Sequence, residues 1–179
     1  SGIPGTVGGA IFGNAEAYKT ATFTYLKSVR YLTPDGVIKT SPKEELSHDY
    51  RTSFFKENPG HIILEAVFCL PSGDKKKSLE LITDRLQRRL ASQPLEYPSA
   101  GSVFRNPSPT LPSGKLIDEL GLKGTRIGDA MVSVKHANFI INLGNATGKD
   151  IRSLIQLVHD KVEEAYHIDL ILVQEYKDW

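Results

Sequence analysis

A change of hydrophobic period constrains the fold of this chain more than any other feature. From His61 to Leu70 the sequence is apolar on both faces apart from Glu65, the pattern of a strand buried in the middle of a sheet. From Lys75 to Leu90 the period lengthens: Leu79, Ile82, Leu86 and Leu90 share one helical face, with Lys and Arg opposite. The two together predict a sheet with an amphipathic helix packed on it. Upstream, Phe23 to Leu32 reads as a strand. Thr33-Pro34-Asp35-Gly36 reads as a turn with proline preset for its second position, and Val37 to Thr40 as the partner strand.

The stretch Ala91-Ser92-Gln93-Pro94-Leu95-Glu96-Tyr97-Pro98 ends the helix and marks the expected boundary between two lobes, residues 1–91 and 92–179. Beyond it, Ser113 to Leu120 predicts a short helix stopped by Gly121, and Ala137 to Leu143 a strand. Thr147 with Asp150 opens a helix that carries Ile151, Leu154, Ile155, Val158 and Val162 on one face. A last strand is expected from about Ile168 to Tyr176. There Glu175 shares a face with Ile171 and Val173, so its carboxylate is either paired or functional.

Bulk properties exclude several classes. The 179 residues, 40% of them apolar, allow one large domain or two small ones. Lys and Arg total 22 against 21 for Asp and Glu, mixed along the chain, which argues against nucleic acid as a partner. The single cysteine, Cys69, permits no internal disulfide and fits a reducing cytoplasm. No apolar run approaches the roughly 20 residues needed to cross a bilayer, and no secretory pattern opens the chain. His48, His61, His136, His159 and His167 show no short ligand spacing, so no metal is expected. Ala100-Gly101-Ser102-Val103-Phe104 is not a nucleophile elbow, which disfavours serine hydrolysis.

Three segments carry the candidate chemistry. Ser99 to Pro107 sets a hydroxyl, a guanidinium and a carboxamide on a turn begun by glycine and ended by proline. Asp49-Tyr50-Arg51-Thr52-Ser53 offers a second polar cluster. The opening Ser1 to Ala10 holds four of the fifteen glycines. On composition it is either a tight packing turn or a backbone surface open to a flat or anionic ligand.

Six segments occur in an order that resembles the UDP-N-acetylenolpyruvoylglucosamine reductases of bacterial peptidoglycan synthesis. They are Ser1 to Ala10, Tyr50 to Ser53, Ala100 to Pro107, Gly114 to Asp118, Lys135 to Phe139 and Gly144 to Thr147, and they span essentially the whole chain. The likeness is to the subgroup with the shorter insert in the FAD domain. It implies an α+β fold: the C-terminal half of an FAD-binding domain of the PCMH type, followed by an α/β substrate-binding domain. It also implies an enzyme that uses FAD and NADPH to reduce the enolpyruvyl ether of UDP-N-acetylglucosamine to the lactyl ether of UDP-N-acetylmuramate.

Residue roles follow from the same resemblance. Arg51 matches the cation that grips the substrate carboxylate as charge develops beside it. Ser102 matches the proton donor, a weak acid suited to a strongly basic carbon. Glu175 matches a carboxyl that assists the carboxylate or the proton path. Asn106, His136 and Tyr50 fall at substrate contacts, and Lys115 at a diphosphate partner. Gly2, Ile3, Gly8, Gly9, Ala10 and Asn14 match the flavin-facing stretch. Without the family, Arg51 reads as a surface ion-pair residue, Ser102 as a turn hydroxyl, Glu175 as an edge-strand gatekeeper, His136 as a capping or core histidine and Lys115 as a solvated charge.

Two departures from the family accompany the resemblance. Asn14-Ala15-Glu16-Ala17-Tyr18-Lys19 stands where the family has Asn-Ala-Gly-Ala-Tyr-Gly. The family's N-terminal lobe, about 100 residues and so a domain's worth, does not precede this sequence, and the expected partner is therefore that lobe as well as the UDP-sugar. An inactive fragment that only binds the nucleotide-sugar, or another flavin oxidoreductase of the same superfamily, are the alternatives.

Overall fold

Alternating apolar residues in Leu26 to Leu32 bury Leu26, Val29 and Tyr31 and build the sheet of the first unit. A computed structural model describes residues 5–176, so Gly2 and Ile3 lie outside the described residues. The chain forms two compact units, Ser1–Ile82 and Thr83–Trp179. Both mix helices and antiparallel strands, an α+β architecture.

The first unit begins with α1 (Val7–Phe12), whose cap residue Thr6 accepts from the Gly9 N–H. A tight hairpin of β1 (Glu16–Ala17) and β2 (Thr20–Ala21) follows. Its two turn residues, Tyr18 and Lys19, sit at φ 53° and 61°. A turn of this kind asks for positive φ at both positions and favours glycine or asparagine there, so Lys19 is strained where the family has glycine. Next come α2 (Thr22–Tyr25), β3 (Leu26–Leu32), β4 (Ile38–Pro42), β5 (His48–Asp49), β6 (Thr52–Ser53), α3 (Phe54–Glu57) and β7 (Ile62–Phe68). Ile11, Phe23, Leu26, Val29, Tyr31, Leu46 and Phe55 form the core.

Three expectations change here. The segment from Phe23 starts as helical turn α2, with Phe23 buried, before β3 begins. β7 is an edge strand, in sheet order β4-β3-β7, and not a central one. Ile63, Ala66 and Phe68 pack on the core while Ile62, Leu64 and Val67 are exposed, and Glu65 pairs across the ladder with Arg30. Helix α4 (Lys75–Ser92) forms as its period predicts, yet no residue in it is buried. Leu79, Ile82, Leu86 and Leu90 are all 40% exposed or more, so the stripe is amphipathic without being packed on the sheet among the described residues. Periodicity reports which face is apolar, and only a neighbouring element can cover it.

The second unit closes its apolar surface. β8 (Ser99–Ser102), β9 (Arg126–Ile127), β10 (Ala130–Val132) and β11 (Phe139–Asn142) form one antiparallel sheet in the order β8-β11-β10-β9. α5 (Ser113–Glu119) and α6 (Gly148–Tyr166) complete it. Thr147 and Asp150 make a reciprocal capping box at the start of α6, as their spacing predicts. Leu154, Ile155, Val158 and Val162 then face Val103, Ile117, Val132 and Ile140 in a continuous core.

The expected last strand is reduced to one antiparallel bridge, Phe104 with Leu172. Leu170 is buried and Leu172 packs on the core, while Ile171 is 58% exposed. The face that Glu175 shares with Ile171 is therefore the outward one, and Glu175 is exposed. No helix among the described residues is long and apolar enough to cross a membrane.

Candidate functional site

A cleft of about 620 Å³ opens in the second unit, lined by Ser102, Asn106, Lys115, Lys123, Lys135 and His136 among others. Four residues singled out in the sequence thus meet on one surface. Ser102 ends β8 opposite Phe139 of β11 and is exposed. The preceding Gly101 adopts φ 79° with open space where a Cβ would stand, so conformation and not crowding favours glycine there. The Ser99 to Pro107 segment is accordingly a strand through Ser102, stays paired at Phe104, and bends only at Pro107, so the expected turn is largely extended chain.

Short polar ties hold the rest of this segment. The Asn106 Oδ1 accepts from the Ser113 N–H at 3.1 Å, which leaves its amide NH2 as the donor group. The fully buried Ser113 hydroxyl donates to the Arg105 carbonyl. Asn138, 4% exposed, accepts from the Phe104 N–H at 2.9 Å and donates to the Phe104 carbonyl at 2.8 Å.

His136 stands at the cleft wall, edge-on to Phe139. Its Nδ1 accepts from the Asn138 N–H at 3.2 Å, so the neutral ring carries its proton on Nε2. Burial, and then the charge of Lys123, hold its pKa below the ordinary value, which keeps the ring a neutral donor. Gly114 lets α5 approach, since an added Cβ would lie 3.2 Å from the His136 Cε1.

Three ammonium groups line the same cleft, each with a carboxylate partner. Lys115 lies 3.7 Å from Glu119, Lys123 2.7 Å from Asp118, and Lys135 2.8 Å from Glu96. The Lys135 hydrogen bond holds the Glu96 carboxyl below its usual range. Asp118 and Glu119 line the same cleft, so its wall is polar and carries charge of both signs.

The C-terminal segment runs beside Ser102. Val173 donates to the Val103 carbonyl and Arg105 to the Ile171 carbonyl, each at 2.8 Å. Together with the bridge of Phe104 and Leu172, these bonds carry the pairing as far as Val173, and the backbone bends at Gln174. The Gln174 amide reaches the Gly101 carbonyl at 3.4 Å.

In the first unit, β5 and β6 present the turn Tyr50-Arg51. Arg51 sits at φ 61°, a costly conformation for a side chain with a Cβ. Its guanidinium lies 4.8 Å above the Tyr50 ring, and its Nη1 is buried without a hydrogen-bond partner among the described residues. The buried Asn14 ties this turn to the glycine-rich start: its Nδ2 donates to the Asp49 carbonyl at 3.0 Å, and its Oδ1 accepts from the Phe23 N–H at 3.2 Å. Ser53, fully buried, adds a bond to the Phe12 carbonyl at 2.7 Å.

Residues 93–175 match the family described as UDP-N-acetylenolpyruvoylglucosamine reductase, C-terminal domain. The chain is 45% identical over 170 residues to the UDP-N-acetylenolpyruvoylglucosamine reductase of Alkaliphilus oremlandii, covering 95% of this chain and 55% of that protein. It is 46% identical over 169 residues to the protein of the same name from Clostridium kluyveri, covering 94% of this chain and 55% of that one. The crystal structure of the reductase from Thermus caldophilus superposes with a TM-score of 0.83 at 37% identity, over 97% of this chain and 61% of that one.

The chain belongs to the UDP-N-acetylenolpyruvoylglucosamine reductase family. It spans about half the length of the curated relatives it matches.

Within this reductase family member, sequence reasoning missed Asn138, Ser113, Lys123 and Lys135 as site-building residues. Asn138 and Lys135 lie inside a recognised motif, but their partners, Phe104 and Glu96, are 34 and 39 residues away. A separate group, His159, Asp160 and Glu163, offers ligand atoms within 4.8 Å of one another on α6. These side chains line no part of the cleft, and His159 is bonded to Asp169 at 2.8 Å.

Proposed function

We propose that the chain takes part in the reaction for which its family is named, the reduction of the enolpyruvyl ether of UDP-N-acetylglucosamine to the lactyl ether of UDP-N-acetylmuramate. The observation that carries this reading is the single cleft lined by Ser102, Asn106, Lys115 and His136. FAD, reduced by NADPH, would supply the hydride. Gly8, Gly9 and Ala10 of α1 would face the flavin; an added Cβ would be in ordinary contact at Gly8 and tight against the Thr6 hydroxyl at Gly9, whose N–H is already bonded to it. Asn14 fits less directly, because its amide already serves Asp49 and Phe23.

The chain's own groups divide the remaining work. Lys115, Lys123 and Lys135 would hold the diphosphate by charge, while the Asn106 NH2 and the His136 Nε2–H donate to neutral acceptors. Ser102 would deliver a proton to substrate carbon as negative charge builds beside the carboxylate. Glu175 would assist that transfer. Arg51, whose unpartnered Nη1 leaves donor capacity, would take the carboxylate in a forked grip, with Tyr50 beneath the guanidinium. On this reading the work would take place in the cytoplasm, in cell-wall synthesis.

Nucleotide-sugar binding without turnover is the second reading, favoured by a cleft whose lining residues all belong to the second unit. Two measurements separate the readings. Calorimetric titration with UDP tests the cleft, and added FAD tests the flavin site through shifted, structured visible bands. UDP binding with an unperturbed flavin spectrum leaves the binding reading alone; no UDP binding sinks both.

A further inference from the structure

The ladder between β8 and β11 ends at Ser102 opposite Phe139, and the chain then leaves the sheet. A side chain takes over from the missing backbone. The Asn138 carboxamide accepts from the Phe104 N–H and donates to the Phe104 carbonyl, while the Asn138 carbonyl accepts from the Val103 N–H at 2.9 Å. A carboxamide is the one uncharged side-chain group that offers a peptide's donor and acceptor together. On the other side, the Val103 carbonyl and the Arg105 N–H bond to residues 173 and 171. Five consecutive backbone groups from Val103 to Arg105 are thus occupied, and Val103 and Phe104 are buried at 1% and 2% exposure. These bonds hold the backbone that directly follows Ser102. The Asn138 N–H also fixes the tautomer of His136 across the cleft.

We propose that Asn138 is a positioning residue that fixes the Ser102 hydroxyl, and with it the alignment of the 171–175 segment, for proton delivery. The proposal rests on the reading of Ser102 as proton donor. Its role goes beyond that of a general core residue, because the backbone groups it bonds directly follow the one hydroxyl proposed as donor.

The test compares the parent chain with Asn138→Ala, Asn138→Asp and Ser102→Ala, each supplied with FAD, NADPH and the enolpyruvyl substrate. Three quantities are read: hydrogen exchange of residues 101–105 against α6, UDP affinity by calorimetry, and turnover. In Asn138→Ala, exchange at Val103 and Phe104 should quicken at least tenfold with α6 unchanged. UDP affinity should stay within about threefold, and turnover should fall about 100-fold, the scale of an ångström-sized misplacement. Asn138→Asp keeps the acceptor for the Phe104 N–H and regains a donor only when protonated. Its turnover relative to the parent should therefore decline as pH rises through that carboxyl's titration, a dependence a merely structural role would not give, and this variant decides the matter if Asn138→Ala does not fold. Unchanged exchange, turnover equal to the parent's, UDP affinity lost in step with turnover, or a pH-independent Asp ratio would each overturn the proposal. If Ser102→Ala retains full turnover, or the parent shows none, the reading of Ser102 fails while the clamp is still judged by exchange.

Discussion

The second unit and the first hold their candidate residues by different means. Around Ser102, backbone groups are pinned by Asn138, Ser113 and the 171–173 segment over a core that covers both helices and the sheet. Around Arg51, the turn is pinned from one side by Asn14 and Ser53, yet the residue itself sits in a left-handed conformation with a buried nitrogen unbonded among the described residues. Ile62, Leu64 and Val67 stay exposed on β7, and Leu79, Ile82, Leu86 and Leu90 on α4. The difference teaches that a site is positioned as firmly as the polar ties around it. A strained backbone and unmet hydrogen-bond capacity, by contrast, set Arg51 apart from the residues around Ser102.

The largest test of this contrast is chemical. Ser102→Ala should lower the substrate half-reaction by about 10²- to 10⁴-fold, the range of general acid catalysis, while NADPH still reduces the flavin at the parent rate. Stopped-flow absorbance separates the two steps, and an equal fall in both would remove the proton-donor role. Next comes packing. Leu154→Ala, in the fully buried face of α6, should cost about 2–5 kcal/mol, whereas Leu86→Ala on the exposed stripe of α4 should stay within about 0.5 kcal/mol. Urea unfolding of the two variants measures both, and similar losses would show that α4 is packed after all.

A smaller effect tests strain in the first unit. Lys19→Gly should raise stability by about 1 kcal/mol, because glycine removes the left-handed penalty at φ 61°; no gain in thermal unfolding would mean the turn relaxes in solution. The smallest is a pH effect in the second unit. Asp169, then Asp160, raise the His159 pKa above its ordinary 6.5 despite partial burial. The protonated ring therefore favours the fold, and this stability is complete below pH 6.5 and lost as pH rises through the raised value. Unfolding across a pH series should show that loss in the parent and a flatter profile in Asp169→Asn. His136 acts in the opposite sense, since burial lowers its pKa and its contribution fades as pH falls below 6.5.

Much of the second unit was legible beforehand. The capping box at Thr147 and Asp150 and the apolar face of α6 appear where their spacing sets them, because both are local patterns. The first unit was read less well where local pattern meets edge or exposure. His61 to Leu70 carries apolar residues on both faces, and nothing in that run states whether a second strand will flank it. The cleft divides the same way: Ser102, Asn106, Lys115 and His136, which line it, stand in motifs, whereas the Asn138 clamp needed a partner 34 residues away.

Sequence alone determined the periods, the caps, the turn chemistry and the ordered motifs that mark the family, since each depends on residues within a few positions of one another. Tertiary structure alone decided that, among the described residues, β7 lies at an edge, the α4 stripe is uncovered and Glu175 is exposed. It also decided that one buried carboxamide completes the sheet beside Ser102. Burial and hydrogen-bond satisfaction are sums over neighbours distant in sequence, and a linear pattern can state what a residue needs without stating what will meet that need.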